Sequence, residues 1–377
     1  MTVGIIGGGA SGLIAALKIK TSRPDIKVTI IEKENALGKK IKVSGNGRCN
    51  LGNRYISDYS YNKLEISKLV REKNYKFQQF LEDIGLLIKE DNDGRLYPFS
   101  ESAQMVVQLL TGILKDYNTE IKLSQTVTDF GRRMDKFFVK VGDSTQFFDY
   151  LIIATGGKSY FKYENSDVLN NVFLSLGIKT KKILPGLSAL KTIESPKILS
   201  GLRLEAKVKL LFNEEKFYEE QGEVQFKDDG LSGIVIMNIA SVIARSNKKP
   251  DSFKLSLDLS AGKLNEISDI YNKTKHFQGI LPEKLLNYFK AQNLEAKGIL
   301  RSITETNFKI ADFYPIKEAQ VSVGGLDLTE IDLETMMLKK VPGLFVTGEI
   351  LDVDGLCGGY NLMFAFLSGL IAAEAII

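Results

Sequence analysis

Histidine and cysteine are nearly missing from this chain. Of 377 residues, one is histidine, His276, and two are cysteine, Cys49 and Cys357. A lone imidazole in the helix-like stretch LNEISDIYNKTKHF has no partners for a His-rich zinc site or a Ser-His-Asp triad, so it is read as a surface or helix-end residue. Two distant cysteines offer neither a disulfide framework nor metal-type pair spacing, which points to a reducing cytosol and to no metal site. Blocks of like charge are also missing. The 50 Lys+Arg and 46 Asp+Glu residues are interspersed and leave a net charge of +4, so nucleic acid is not the expected partner. No apolar run reaches the roughly 18 to 20 residues of a membrane span. The most apolar segment, LMFAFLSGLIAAEAII, is interrupted by Glu374 and reads as a buried terminal helix. The first predicted strand begins almost at Met1, so no signal peptide is expected ahead of it and the location expected is cytoplasmic.

What is present is glycine in informative places. Residues 3–6 (VGII) form a short apolar run. Gly7-Gly8-Gly9-Ala10-Ser11-Gly12 follows, then LIAALKI at helical spacing, then the strand-like KVTIIEK ending at Glu32, 20 residues beyond Gly12. Strand, glycine turn, helix, strand and acid together make the βαβ dinucleotide fingerprint. Gly7 permits the tight turn, Gly9 lets the main chain approach a pyrophosphate, and Gly12 lets the helix pack on the sheet. A helix starting near Ala10 aims N–H groups at that anion. Glu32 can accept the ribose hydroxyls of an adenosine, and its charge opposes a 2′-phosphate.

The fingerprint alone does not separate NAD from FAD. Three further features favour FAD: the Glu32-Lys33 pair with Gly38, Lys39 and Lys40 behind it; the strand YLIIA stopping at Thr155-Gly156-Gly157; and the strand VPGLFVT stopping at Gly348-Glu349. A long flavin cofactor needs contacts from several strand ends. No second fingerprint is visible, so a separate nicotinamide domain is not expected. NAD(P)H then docks transiently as a reductant, or the substrate itself reduces the flavin.

The motifs KVSGNGRCN, LIIATGGKSY, GLSG at 230–233, VSVGGLDLTEID and VPGLFVTGEILDVDGLCGGYNLMFAFLSG resemble those of bacterial FAD flavoproteins of the aminoacetone oxidase and bile-acid reductase (BaiN-like) kind. The resemblance covers nearly the whole chain. It implies a Rossmann-like FAD domain of glutathione-reductase type, discontinuous over 1–184 and 318–377. An inserted β-rich region over 185–262 and a small helical region over 263–317 would lie on the substrate side. It also implies that Gly7, Gly9, Ala10, Ser11 and Gly12 hold the pyrophosphate, Glu32 and Lys33 the ribose, the Val127 main chain the adenine, and Gly348 with Glu349 the ribitol end. Gly38, Lys40 and Thr155-Gly156-Gly157 join the cofactor site. The loop Ser44, Asn46, Gly47, Arg48, Cys49, Asn50 would lie along the flavin ring. The run Gly358-Gly359-Tyr360-Asn361-Leu362 would aim a helix N-terminus at it.

The chain departs from the family after Gly157, where SYFKYENSDVL replaces a proline and glycine-rich turn, and at 230–235, where GLSGIV lacks the usual proline. In the insert, 203–211, 221–226 and 252–259 alternate as strands. Residues 263–276, 282–292 and 296–308 read as helices, and EIKLSQTVTDF as one strand. NEEKFYEE at 213–220 reads as a solvated hairpin, and Tyr160, Tyr163 and Tyr360 are candidate lining residues.

The expected function is therefore an FAD-dependent oxidoreductase that passes a hydride to or from flavin N5 and acts on a small organic substrate. Arg48 is the candidate for steering that substrate. Enone reduction and amine oxidation both fit. A flavin-dependent RNA-modifying protein and a redox-sensing flavoprotein without turnover are the alternatives, and a Cys49–Cys357 redox pair is an option that the spacing does not require. No sequence feature sets an oligomeric state.

Overall fold

The computed structural model of the protein describes residues 1–159 and 172–377. It divides into two compact units, Met1–Ile183 with Val321–Ile377, and Leu184–Gln320.

In the first unit the apolar runs at the N-terminus become β1 (Thr2–Ile6) and β2 (Lys27–Ile31), paired in parallel with Gly4 opposite Thr29. Nearly every residue of both is buried, as parallel strands covered on both faces require. Between them runs α1 (Ala10–Ser22), with Leu13, Ile14 and Leu17 fully buried; each side chain stabilises by about 1.5–3 kcal/mol through burial. Lys20 donates from Nζ to the Pro24 and Ile26 carbonyls and so closes the C-terminal end of the helix.

The chain goes on through α2 (Lys39–Val43), β3 (Gly52–Asn53), β4 (Arg95–Pro98) and β5 (Glu120–Lys122). They are followed along the chain by β6 (Val127–Arg133), β7 (Tyr150–Ile153), β8 (Leu344–Val346) and α3 (Tyr360–Glu374). The main sheet has seven strands in the order 331–332, 337–338, β8, β7, β1, β2, β5. The last five are parallel, so Val346, Ile153, Ile6, Ile31 and Lys122 end at one edge. Open parallel sheets bind ligands at that edge. The apolar C-terminal run is α3, a helix buried almost all round and packed on α1. Gly369 permits the crossing: a Cβ there would lie 2.2 Å from the Ser11 carbonyl oxygen. No helix among the described residues is long and apolar enough to cross a membrane.

The segment EIKLSQTVTDF differs from the single strand expected. It splits into β5 and β6, with Ser124 between them at φ +55°. The Ser124 and Gln125 N–H groups donate to the Glu34 and Glu32 carbonyls, which bends the chain around the end of β2.

The second unit is a closed barrel of six strands in the order 190–192, 230–232, 215–226, 203–212, 253–258, 306–313. Two expectations are corrected here. The third helix of the insert ends at Thr304, and Thr306–Phe313 is a strand that closes the barrel, so 263–317 is not wholly helical. Thr306, Phe308 and Ile310 alternate inward with exposed neighbours, a period of two that outweighs the helical propensity of the residues before it. The β-rich stretch also contains a helix, Ile234–Arg245, whose Val235, Ile236, Ile239, Ala240 and Ile243 form one buried face. NEEKFYEE forms the turn and outer part of the hairpin Arg203–Phe212 with Glu215–Phe226, and His276 is exposed just past a helix end.

Gly369→Val should force α1 and α3 apart and lower unfolding stability by at least about 2 kcal/mol. Urea denaturation checks this.

Candidate functional site

The strand ends at the sheet edge carry the fingerprint glycines. After β1, Gly7 donates its N–H to the Ile31 carbonyl at 2.9 Å. The Gly8 N–H donates to Glu32 Oε2 at 2.6 Å and the Glu34 N–H to Glu32 Oε1 at 2.8 Å. Two main-chain donors thus fix the Glu32 carboxylate at the end of β2. The Gly38 N–H reaches back to the Gly8 carbonyl at 2.9 Å, folding the 32–38 loop over the turn. Gly8, silent in the sequence reading, is therefore the residue that orients the acid.

Gly9 caps α1 in extended conformation, and a Cβ on it would meet nothing within 4 Å. Gly12 is the opposite case, with a Cβ position 2.0 Å from the Gly7 carbonyl oxygen. One glycine is needed for packing; the other fronts open space. That open space faces the first-turn N–H groups of Ala10, Ser11 and Gly12, which have no intrahelical acceptor. The residues present fit a dinucleotide: a cradle at Gly9, a helix N-terminus, and an oriented acid. Lys33 is exposed beside Glu32, and Val127 is buried at the start of β6.

Next along the edge, Thr155, Gly156 and Gly157 continue from β7, and Gly348 and Glu349 from β8. Gly348 is buried and donates its N–H to Ser368 Oγ of α3 at 2.9 Å. Glu349 lies in a cluster that joins four segments. Its Oε1 accepts from Ser159 Oγ at 2.8 Å and from the Ser322 N–H at 2.7 Å. Its Oε2 pairs with Lys40 of α2, which also donates to Ser159 Oγ at 2.6 Å. Ser322 Oγ in turn accepts from the Lys158 N–H at 2.8 Å. The sequence singled out Lys40 and Glu349 separately; Ser159 and Ser322 lie within the motifs LIIATGGKSY and VSVGGLDLTEID, but nothing in either motif ties them to Glu349. Tyr160 and Tyr163 lie outside the described residues, as does the departing loop from Tyr160 to Leu169.

The loop 44–50 follows α2 as a tight turn, with Gly45 and Asn46 both left-handed at φ +56° and +55°. Ser44 Oγ donates to the Ile41 carbonyl at 2.7 Å. The loop is tied to strand β4 by the Leu51 N–H on the Leu96 carbonyl at 2.7 Å, and to the distant tail by amides. With its amide oriented to satisfy both sides, Asn50 donates to the Gly52 carbonyl and accepts from the Gly359 N–H. Asn53 donates to the Gly358 carbonyl at 3.2 Å. Gly359 allows the approach, since a Cβ there would lie 2.4 Å from the Gly52 carbonyl oxygen. Segments 305 residues apart are thus brought together.

The tail side chains are largely occupied with this joint. Tyr61 donates to the Tyr360 carbonyl and Tyr360 to the Tyr55 carbonyl, each at 2.8 Å. Asn361 bridges both polar groups of Gly355, accepting from its N–H and donating to its carbonyl, each at 2.9 Å. Leu362 is half-buried in the first turn of α3.

Within the loop, adjacent residues have opposite fates. Asn46, Gly47 and Arg48 are exposed, whereas Cys49 is buried. Burial pushes the Cys49 thiol up to about 12, only partly offset by Ser44. The Arg48 guanidinium lies over the Tyr97 ring at 4.5 Å and donates to the Tyr97 hydroxyl at 3.3 Å.

Gly9→Ala should leave the apoprotein's stability within about 0.5 kcal/mol while weakening FAD binding at least about tenfold. Thermal melts of the apoprotein and flavin titration check the two halves. Because the raised Cys49 pKa keeps the neutral thiol through pH 9, iodoacetamide at pH 8 should leave Cys49 unlabelled in the folded protein and label it after denaturation, as read by peptide mass.

Comparison with known proteins agrees with this geometry. Residues 1–375 match the family described as HI0933-like protein Rossmann domain. The 3-dehydro-bile acid delta(4,6)-reductase of Clostridium scindens is 30% identical over 99% of this chain and 98% of its own length. A ribosomal RNA dihydrouridine synthase of Haemophilus influenzae is 26% identical, over 99% and 97%. In fold, the chain is similar to 3-ketosteroid delta1-dehydrogenase from Sterolibacterium denitrificans, with TM-score 0.55 at 11% identity over 100% of this chain and 99% of that one. The chain belongs to the HI0933-like family and is an FAD-dependent oxidoreductase built on a Rossmann-type domain.

Proposed function

We propose that this oxidoreductase saturates a carbon–carbon double bond conjugated to a carbonyl in a small organic substrate, with NAD(P)H as the transient reductant. Bound FAD supplies the redox chemistry, accepting and passing on a hydride at N5. The chain's own part is to hold the dinucleotide at Gly9 and Glu32 and to present a polar loop beside the ring. The observation that carries the reading is Arg48. Its guanidinium is exposed on a loop locked to Gly358 and Gly359, and among the described residues it makes no ion pair. Such a group can hold the carbonyl oxygen of an enone and draw electron density from its double bond. The names of the two kinds of relative support the direction, since a delta(4,6)-reductase and a dihydrouridine synthase are both named for saturating a double bond.

A second reading, a uridine of ribosomal RNA as substrate, is favoured by the two synthases matched at 26% identity. Local charge favours the small molecule. Arg54 just past β3, and Lys89 and Arg95 on the neighbouring strands, are each paired with an acid: Glu90, Glu101 and Asp91 respectively. A surface that tracks a phosphate backbone needs its cations available.

Anaerobic stopped-flow mixing of the yellow holoprotein with NADH, NADPH and small amines tests the direction. Bleaching by a nicotinamide, followed by recovery of colour on adding a 4-en-3-one steroid, is the expected result. Bleaching by an amine alone reverses the direction, and recovery only with a uridine-bearing ribosomal RNA fragment transfers the reading to RNA.

A further inference from the structure

Tyr97 has no place in the motifs of the chain, yet it is the residue on which Arg48 rests. It lies in β4, 49 positions from Arg48, and its side chain is only 4% exposed. The strand fixes the ring twice over. The preceding residue, Leu96, pairs with Gly52 and accepts the Leu51 N–H, so the strand that closes the loop's main chain also carries the ring beneath its arginine. On the other side, Tyr97 pairs with Lys89. A buried ring on a strand anchored from both edges has little freedom to move.

The guanidinium meets that ring in two ways, by stacking on its face and by donating from Nη2 to its hydroxyl. Stacking and one hydrogen bond use one face and one N–H of a group with five N–H donors. Among the described residues no carboxylate takes the rest: Glu101 feels the Arg48 charge, but its carboxylate is held by Lys89. An arginine on a loop with left-handed residues on both sides of it would otherwise sample many rotamers, and ordering such a side chain costs conformational entropy. Tyr97 meets that ordering requirement in advance.

We infer that Tyr97 is a positioning residue that holds the Arg48 guanidinium as a preorganised donor for a substrate carbonyl or carboxylate oxygen, making the Arg48–Tyr97 pair the specificity element of the site. The inference rests on the reading of Arg48 given under Proposed function. It predicts preference for planar, oxygen-bearing conjugated ligands, because a stacked guanidinium offers a flat, bidentate edge.

The test uses holoprotein and benzoate, a planar conjugated carboxylate, with binding read from perturbation of the flavin visible spectrum. Wild type should bind saturably, Arg48→Ala should lose binding, and Tyr97→Leu should weaken it about tenfold. Tyr97→Phe, which keeps the ring face, should stay within about threefold of wild type. With an enone substrate, the Tyr97→Leu change should fall in KM rather than in the rate of flavin reoxidation at saturation. Benzoate binding lost on Arg48→Ala but unchanged in Tyr97→Leu overturns the positioning role and leaves the reading of Arg48 standing. Benzoate binding that is absent in wild type, or survives Arg48→Ala, overturns both. Where Tyr97→Leu fails to retain flavin, Arg48→Lys decides: it keeps the charge but not the flat stacked edge, so a loss of about tenfold supports the inference and unchanged binding overturns it.

Discussion

Close contact of main chain with main chain around α1 is the constraint from which the rest of the first unit follows. Gly12 brings the helix against the Gly7 carbonyl, and Gly369 brings α3 against the Ser11 carbonyl. Pinned on two sides, the first turn of α1 cannot drift from the ends of β1, β7 and β8. Helix-terminal N–H groups act on an anion only over about one turn, so this pinning converts a general tendency of helices into a site. The contact also explains why α1 and α3 are buried almost all round and show little amphipathic pattern. Each has a neighbour on nearly every face, so neither sequence needs a polar stripe.

The two carboxylates at the sheet edge are held by different means, and the difference matters for what each can do. Glu32 is oriented by the Gly8 and Glu34 N–H groups, which fix its direction without neutralising it fully. It stays a strong acceptor for neutral hydroxyls. Glu349 is met by Lys40, the Ser159 hydroxyl and the Ser322 N–H. Its charge is compensated, and it serves equally to join α2 to the ends of β7 and β8.

How much of this was legible in the sequence depended on whether the governing physics was local. The βαβ unit was readable because strand, turn, helix and acid sit within one short window, each with its own residue signature. The buried terminal helix was readable from its length and the position of Glu374. The barrel was not: Thr306–Phe313 follows a helix after one residue, so its short alternation is masked until its partners at 190–192 and 253–258 are in place. The bend at Ser124 was hidden for the same reason, since its N–H acceptors are 90 residues away in the loop after β2. At the site, glycines and charged residues announced themselves, while Gly8, Ser159, Ser322 and Tyr97 did not. Each of those acts on a residue distant in sequence or through a main-chain group, and neither leaves a pattern in a single chain.

The loop 44–50 gives two adjacent side chains opposite surroundings by burial alone. Arg48 and Cys49 are adjacent, and a guanidinium beside a thiol would ordinarily favour the thiolate. Here the backbone at Cys49 turns through the left-handed region at φ +61°, one side chain goes to the surface and the other into the core. The arginine spends its face on Tyr97, and the thiol is left to desolvation, which raises its pKa to about 12. The neutral thiol, not the thiolate, is then the form the buried site favours. One turn of backbone thus sets the thiol in the core and the adjacent guanidinium in solvent.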